Sequence, residues 1–264
     1  MRLYCPDLPD SGTVELHAEE FNYAKNVLRA RHGNEILLFD AKGKEAVGVI
    51  TRLDRGRLCI QINEVSRNNK TQKESALGIR LLQGIPKGPK MDFIVQKATE
   101  LGVSEIQPLV TGRTQVDIRL KETRKPERWQ KIAVEAARQC GRPVAPVIKE
   151  PVSFVDFFNL DEGMNRGAGI IFWEKGGPGL KELAEFFLNF LSGAGGTLEG
   201  AEVKHKNRKI SLAVGPEGGF LEEEAALAVE KGFYLAGLGP RILRAETAAI
   251  MAVGLAQFLF GDMG

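Results

Sequence analysis

Cysteine is scarce in this chain of 264 residues: Cys5, Cys59 and Cys140 lie far apart and are odd in number. Such a set argues against a disulfide framework and for a reduced, cytoplasmic setting. Histidine is equally rare (His17, His32, His205), and no short-range Cys/His pair exists, so no zinc or other metal is expected. Long apolar runs are missing too. The longest, 248–260, contains Gly254 and Gln257 and is shorter than the roughly 20 residues of a membrane-spanning helix. The opening Met1-Arg2-Leu3-Tyr4-Cys5-Pro6 has no apolar run behind its charge, so neither a signal peptide nor a membrane partner is expected.

What is present is a globular composition, with 43% hydrophobic and 27% charged residues, enough to bury a sizeable core. The net charge of +2 excludes little, but its distribution is uneven. Residues 1–70 carry 11 Lys/Arg against 10 Asp/Glu, residues 71–150 carry 15 against 9, and residues 151–264 carry 10 against 15. A basic middle beside an acidic end is compatible with a bound polyanion and equally with ordinary surface variation.

The first 65 or so residues read mainly as strands, at 35–39, 45–53 and 57–65, with turn signals at 41–44 and 54–56 and one helix at 19–29. This pattern predicts a small β-barrel over 1–70. The polar stretch 66–75 predicts a linker. From Ala76 the rhythm becomes strand, loop, helix. Strands are expected at 77–82, 103–110, 169–173, 210–214 and 234–238, with helices at 91–101, 126–140, 179–191, 222–231 and 248–260. Gly102, Gly141 and Gly232 supply helix stops. The alternation predicts an α/β domain with a parallel sheet over 76–264. The stretch 192–209, Gly-rich and then basic, reads as an exposed insertion.

Ligands of open α/β sheets collect beyond the carboxyl ends of the strands, which singles out the loops after Trp173, Val214 and Leu238. Gly215-Pro216-Glu217-Gly218-Gly219 would let backbone amides approach a ligand closely, or would be a tight turn and nothing more. It is neither a P-loop nor a Gly-x-Gly-x-x-Gly turn. The second loop, from Gly239 through Pro240, Arg241, Ile242, Leu243, Arg244 and Ala245, leads to Glu246 or Thr247 as the expected N-cap of the last helix. That helix is small and apolar on nearly every side, which predicts burial all round, with a subunit interface as a natural second wall.

Four blocks then carry a resemblance. They are the 84–103 segment beginning Gly84-Ile85-Pro86-Lys87-Gly88, the 128–142 segment beginning Arg128-Trp129-Gln130, Leu212-Ala213-Val214-Gly215-Pro216-Glu217-Gly218-Gly219-Phe220, and Leu238-Gly239-Pro240-Arg241-Ile242-Leu243-Arg244-Ala245-Glu246-Thr247-Ala248. In this order the chain resembles the RsmE-type 16S rRNA (uracil-N3)-methyltransferases of the SPOUT superfamily, including Val27-Leu28-Arg29 near the N-terminus. It departs from the family pattern at Leu221, Ala245, Arg138, Cys140 and the Thr111-Gly112-Arg113-Thr114 stretch.

The resemblance implies an α/β fold. A PUA-like β-barrel would bind RNA, and a SPOUT domain would follow it, with a deep trefoil knot at about 210–260. It implies S-adenosyl-L-methionine as cofactor, a homodimer through the SPOUT domain, and methylation of uridine N3 in 16S rRNA, free or in the assembled small ribosomal subunit. Arg244 would stabilise the anion forming on the base, and Glu246 or Glu217 would take the proton. The cofactor would lie against Phe172, Trp173, Glu174, Val214, Gly215, Pro216, Glu217, Gly218, Gly219, Leu238, Gly239, Ile242, Leu243, Arg244 and Thr247. Arg29, Arg31, Lys87, Arg113 and Arg142 would meet RNA phosphates. Two alternatives stand beside this reading: another SPOUT enzyme acting on a ribose 2′-oxygen or a tRNA base, and a non-catalytic RNA-binding factor of ribosome assembly.

Overall fold

A computed structural model describes residues 1–40, 44–66, 74–114, 125–160, 168–192 and 208–264. The turn expected at 41–43, the centre of the linker expected at 66–75 and nearly all of the insertion expected at 192–209 lie outside the described residues. The chain divides into two compact units, 1–74 with 134–145, and 75–133 with 146–264. Thus 134–145 packs within the first unit, although the sequence alone assigns all of 76–264 to the second domain.

The first unit is a five-stranded sheet in the order β1 (Arg2–Tyr4), β3 (Glu35–Phe39), β4 (Glu45–Asp54), β5 (Arg57–Ser66), β2 (Thr13–His17). β1 pairs with β3 in parallel and the remaining pairs are antiparallel. Arg55 and Gly56, both at positive φ, make the two-residue turn joining β4 to β5, the geometry that matches strand twist in tight hairpins. Alternation along the strands sends Leu3, Val14, Leu16, Ile36, Leu38, Ile50, Leu58 and Ile60 into one core. The helix expected at 19–29 is shorter and changes character. α1 (Ala18–Asn22) passes into a π-helical turn at Tyr23–Val27, closed by Leu28 N–H donating to the Tyr23 carbonyl at 3.0 Å. The 134–145 segment joins this unit through side chains with a polar end and a long stem. The Arg142 guanidinium forks onto Glu74, with Nε–Oε1 3.0 Å and Nη2–Oε2 2.7 Å, and that of Arg138 lies 5.3 Å and 5.2 Å from the ring centres of Tyr4 and Tyr23.

The second unit is built on a seven-stranded sheet, parallel in every pairing. The order is β12 (Phe233–Ala236), β10 (Ala168–Phe172), β11 (Arg208–Val214), β6 (Leu77–Gly84), β7 (Val103–Val110), β8 (Val147–Ile148), with β9 (Val152–Ser153) also on β7. β6 reads Leu77, Ile79, Leu81, Leu82 with every one buried, the near-continuous apolar pattern of a strand covered on both faces. The remaining helices are α2 (Lys90–Glu100), α3 (Lys125–Cys140, whose residues from Val134 belong to the first unit), α4 (Phe154–Leu160), α5 (Leu180–Ser192), α6 (Glu222–Glu230) and α7 (Ala245–Phe260). One core holds Ile79, Leu81, Ile94, Val95, Ile210, Leu212, Val253 and Phe260. A second gathers Phe154, Phe157, Phe158, Phe220 and Phe233, with Phe154 and Phe158 stacked at 4.4 Å. The two- and three-residue strands β1, β8 and β9 carry too few residues for periodicity to register.

One helix start, that of α7, differs from expectation, while α6 begins at Glu222 as expected. α7 begins at Ala245, and its N-cap is Arg244, with no capping side chain. Glu246 and Thr247 therefore lie in its first turn rather than at its cap. α6 has Leu221 at the N-cap, where no hydroxyl is available, and Glu224 one turn on accepts from the Leu221 N–H at 2.8 Å. This is the reciprocal half of a capping box, and it satisfies one donor that the leucine leaves open.

Candidate active site

The carboxyl ends of β10, β11 and β12 face one cleft of about 420 Å³, a size usual for small-molecule sites. β11 runs between β10 and β6, so the loop that follows Val214 emerges beside the loop after Phe172, and β12 brings the third loop to the far side of β10. Thirteen of the fifteen expected cofactor positions line the cleft: Phe172, Trp173, Glu174, Val214, Gly215, Pro216, Glu217, Gly218, Gly219, Leu238, Gly239, Ile242 and Leu243. Arg244 and Thr247 do not. Both are exposed at the start of α7, whose Ala245 and Ala248 do line the cleft.

Sequence reading missed Gly176, Gly177, Gly179, Gly237, Pro240 and Arg241 as lining residues. A signal was present in the glycine-rich stretch directly after Trp173. Its partner is β12: Gly237 N–H donates to the Pro178 carbonyl at 3.1 Å and Gly179 bridges to Gly237, which ties the loop after β10 to the end of β12. Also unforeseen is Gln83, fully buried at the end of β6. Its Nε2 donates to the carbonyls of Gly84 at 2.8 Å, Gly215 at 3.3 Å and Val214 at 3.4 Å, fastening the base of the glycine loop to the next strand.

The glycine loop is a closed turn, with Gly219 N–H donating to the Pro216 carbonyl at 2.9 Å. Its Glu217 carboxylate is already engaged. Lys90 Nζ donates at 2.6 Å, and the Lys87 backbone N–H donates to both oxygens at 3.1 and 3.2 Å. Burial works to raise the Glu217 pKa, but the Lys90 ammonium and the backbone donors outweigh it and hold the group below the ordinary carboxylate range. A carboxylate so held is a poor proton acceptor near neutrality. Across the loop, Arg113 donates to the Gly218 carbonyl, and its Nη1 lies 3.6 Å from Glu174 Oε1.

Glu246 has one oxygen, Oε2, buried without a hydrogen-bond partner. Arg244 forms no ion pair among the described residues. Of the expected RNA contacts, Arg29 and Arg31 are exposed in the first unit, with Arg29 at φ +50°, and Lys87 is exposed in the second. Arg113 is spent on the cleft wall. Arg142 differs outright from expectation: it is 6% exposed and committed to Glu74, because its fork satisfies a carboxylate inside its own unit. Among the described residues no group of three His, Cys, Asp or Glu is placed to hold a metal ion. No helix of the described residues is long and apolar enough to cross a membrane.

With this geometry in hand, comparison with known proteins is informative. Residues 73–257 match the family described as an RNA methyltransferase domain, and residues 16–63 match an RNA methyltransferase PUA domain. The chain is 32% identical to the ribosomal RNA small subunit methyltransferase E of Buchnera aphidicola, over 94% of this chain and 88% of that protein. It is also 29% identical to the protein of the same name from Bacillus subtilis, over 95% and 92%. Among solved structures, the Neisseria gonorrhoeae ribosomal RNA small subunit methyltransferase E bound to S-adenosyl methionine superposes with a TM-score of 0.81 at 32% identity, covering 100% of this chain and 99% of that one. A methyltransferase from Legionella pneumophila in complex with the same cofactor gives 0.83 at 32% identity, covering 99% and 98%. Both matched regions and near-complete coverage point the same way: the chain belongs to the ribosomal RNA small subunit methyltransferase E family.

Proposed function

We propose that this protein transfers a methyl group from S-adenosylmethionine to N3 of a uridine in 16S ribosomal RNA, in the small-subunit decoding region. The observation that carries this reading is the convergence of three strand-end loops on one cleft, in a chain whose relatives are rRNA methyltransferases and have been crystallised with that cofactor.

The lining suits the donor. Phe172, Val214, Leu238, Ile242 and Leu243 offer apolar walls for a flat heteroaromatic ring, the glycine backbone leaves polar groups for ribose and amino-acid atoms, and Glu174 adds a carboxylate to the lining. When bound, S-adenosylmethionine supplies an electrophilic methyl group on positive sulfur. The chain's own part is to hold donor and base in line, which supplies about 7–11 kcal/mol of a typical barrier. The N3–H of uracil titrates above neutrality, and each unit of that gap costs ~1.4 kcal/mol. Arg244, at the cleft edge, offsets it by placing fixed positive charge where the base becomes anionic. Proton removal falls to Glu246 rather than Glu217, since Glu217 is already neutralised by Lys90 and Glu246 stands in the first turn of α7 between the cleft residues Ala245 and Ala248.

The remaining features belong to the same reading. The match of residues 16–63 to an RNA methyltransferase PUA domain supports a PUA-like barrel for the five-stranded first unit, and the match of residues 73–257 to an RNA methyltransferase domain supports a SPOUT domain with a trefoil knot at about 210–260. Met251 and Phe258 are exposed apolar side chains on α7, which supports a homodimer through the second unit. The setting is the cytoplasm. The test is Arg244→Ala: methylation of 16S rRNA in vitro falls at least about 100-fold, while calorimetric binding of S-adenosylmethionine is kept. Full activity in that variant sinks the mechanism. Unmodified N3-methyluridine levels in 16S rRNA of a deletion strain sink the substrate assignment.

A further inference from the structure

The two glycines at the tip of the 215–219 loop accommodate protein side chains. A Cβ built at Gly218 would lie 3.0 Å from Cβ and 3.3 Å from Cδ of Arg113. A Cβ at Gly219, where φ is +69°, would collide with the carboxylate oxygens of Glu174. Arg113 therefore crosses the loop in contact with Gly218, gives a hydrogen bond to its carbonyl, and ends beside Glu174 on the loop that follows β10.

Arg113 is itself fixed from behind. The Thr111–Thr114 turn closes on itself, with Thr114 N–H donating to the Thr111 carbonyl at 3.0 Å and Thr111 N–H to Thr114 Oγ1 at 2.9 Å. Gly112 N–H donates at 2.8 Å to Glu224 Oε1, while Oε2 takes the Leu221 N–H at 2.8 Å. Glu224 is 6% exposed, and this pair of charge-assisted bonds is what a buried carboxylate needs. The same acid thus joins the start of α6 to the turn that carries Arg113. On the other side of the loop, Glu217 is held by Lys90 and Lys87.

We propose that Arg113 is a positioning residue of the cofactor cleft, a strap that holds the glycine loop in its binding shape, and not an RNA phosphate contact. This rests on the reading of the cleft as an S-adenosylmethionine site. A loop pinned before binding loses little freedom on binding; once the strap is cut, the ligand must order it. Both contacts run through Nη1; lysine keeps the positive charge that a phosphate would need, but not the pre-organised planar guanidinium that holds Nη1 at the Gly218 carbonyl.

The test compares wild type, Arg113→Ala and Arg113→Lys by calorimetry with S-adenosylmethionine, and by binding of a 16S rRNA fragment without cofactor. Both variants are expected to bind S-adenosylmethionine roughly tenfold more weakly, with KM for it raised more than kcat is lowered, and with RNA affinity and its salt slope unchanged. Unaltered cofactor affinity in Arg113→Ala overturns the proposal, as does a lysine variant equal to wild type. Glu174→Gln adds a coupling measurement. The loss in the double variant with Arg113→Lys is expected to be smaller than the sum of the two single losses, and losses that simply add overturn the strap. A wild type that takes up no S-adenosylmethionine defeats the functional reading itself, before any variant is compared.

Discussion

At Glu217 a residue with the chemistry of a catalytic base is used for something else. Its carboxylate is held below its ordinary value of 4.5 although burial opposes this, because Lys90 and two backbone donors favour the charged form. A depressed carboxylate contributes stability that is complete above its unfolded pKa and is lost as pH falls through the lower folded one. The stability difference between wild type and Glu217→Gln, read from urea unfolding, is therefore constant at pH values above about 4.5 and shrinks as the medium is made more acidic. Arg142 teaches the same lesson. A lone arginine in a basic stretch reads as a phosphate contact, and only its burial against Glu74 reveals an internal ion pair. Removing one partner of such a pair strands the other, so Arg142→Ala costs roughly 3 kcal/mol in chemical denaturation.

Among the elements, α7 depends on a single polar side chain. Gln257, fully buried, accepts from Ser75 Oγ at 2.9 Å through Oε1 and donates to the Leu101 carbonyl at 3.1 Å through Nε2. It thereby joins α7 to the end of α2 and the approach to β6. Gln257→Ala leaves those groups unpaired and opens space, and the expected loss is about 2–4 kcal/mol of unfolding free energy by denaturant titration. Periodicity read the type of the long elements correctly, because β6, β7, α2 and α3 are long enough to show their repeat. It placed the start of α7 at Ala248, three residues late, since Ala245, Glu246 and Thr247 resemble a loop until Arg244 is seen as the cap. Most of the cleft was legible because glycine clusters after apolar strands mark strand ends. Gln83 was not, because nothing local distinguishes a glutamine that ties two strands from one facing water.

For the molecule as a whole, the exposed apolar Met251 and Phe258 on α7 lead to a check of the proposed homodimer. Wild type is expected to scatter light as a dimer and Phe258→Glu as a monomer, because a charge cannot be buried unpaired in an apolar contact. RNA binding is expected to weaken steeply with salt, and the combined loss of Arg29, Arg31 and Lys87 to alanine to flatten that slope by about three. The amino-acid order alone determined the alternation of strands and helices, the two-part composition and the loops that bear ligand chemistry, since these depend on neighbours a few residues apart. Tertiary structure alone decided that β11 lies between β10 and β6, that 134–145 packs with the first unit, and that Arg113 bonds the glycine loop beside Glu174 while Glu224 holds the turn that carries it. Contacts between residues about a hundred positions apart leave no local trace, because the free energy that selects them comes from burial and hydrogen bonding that exist only once the chain is folded.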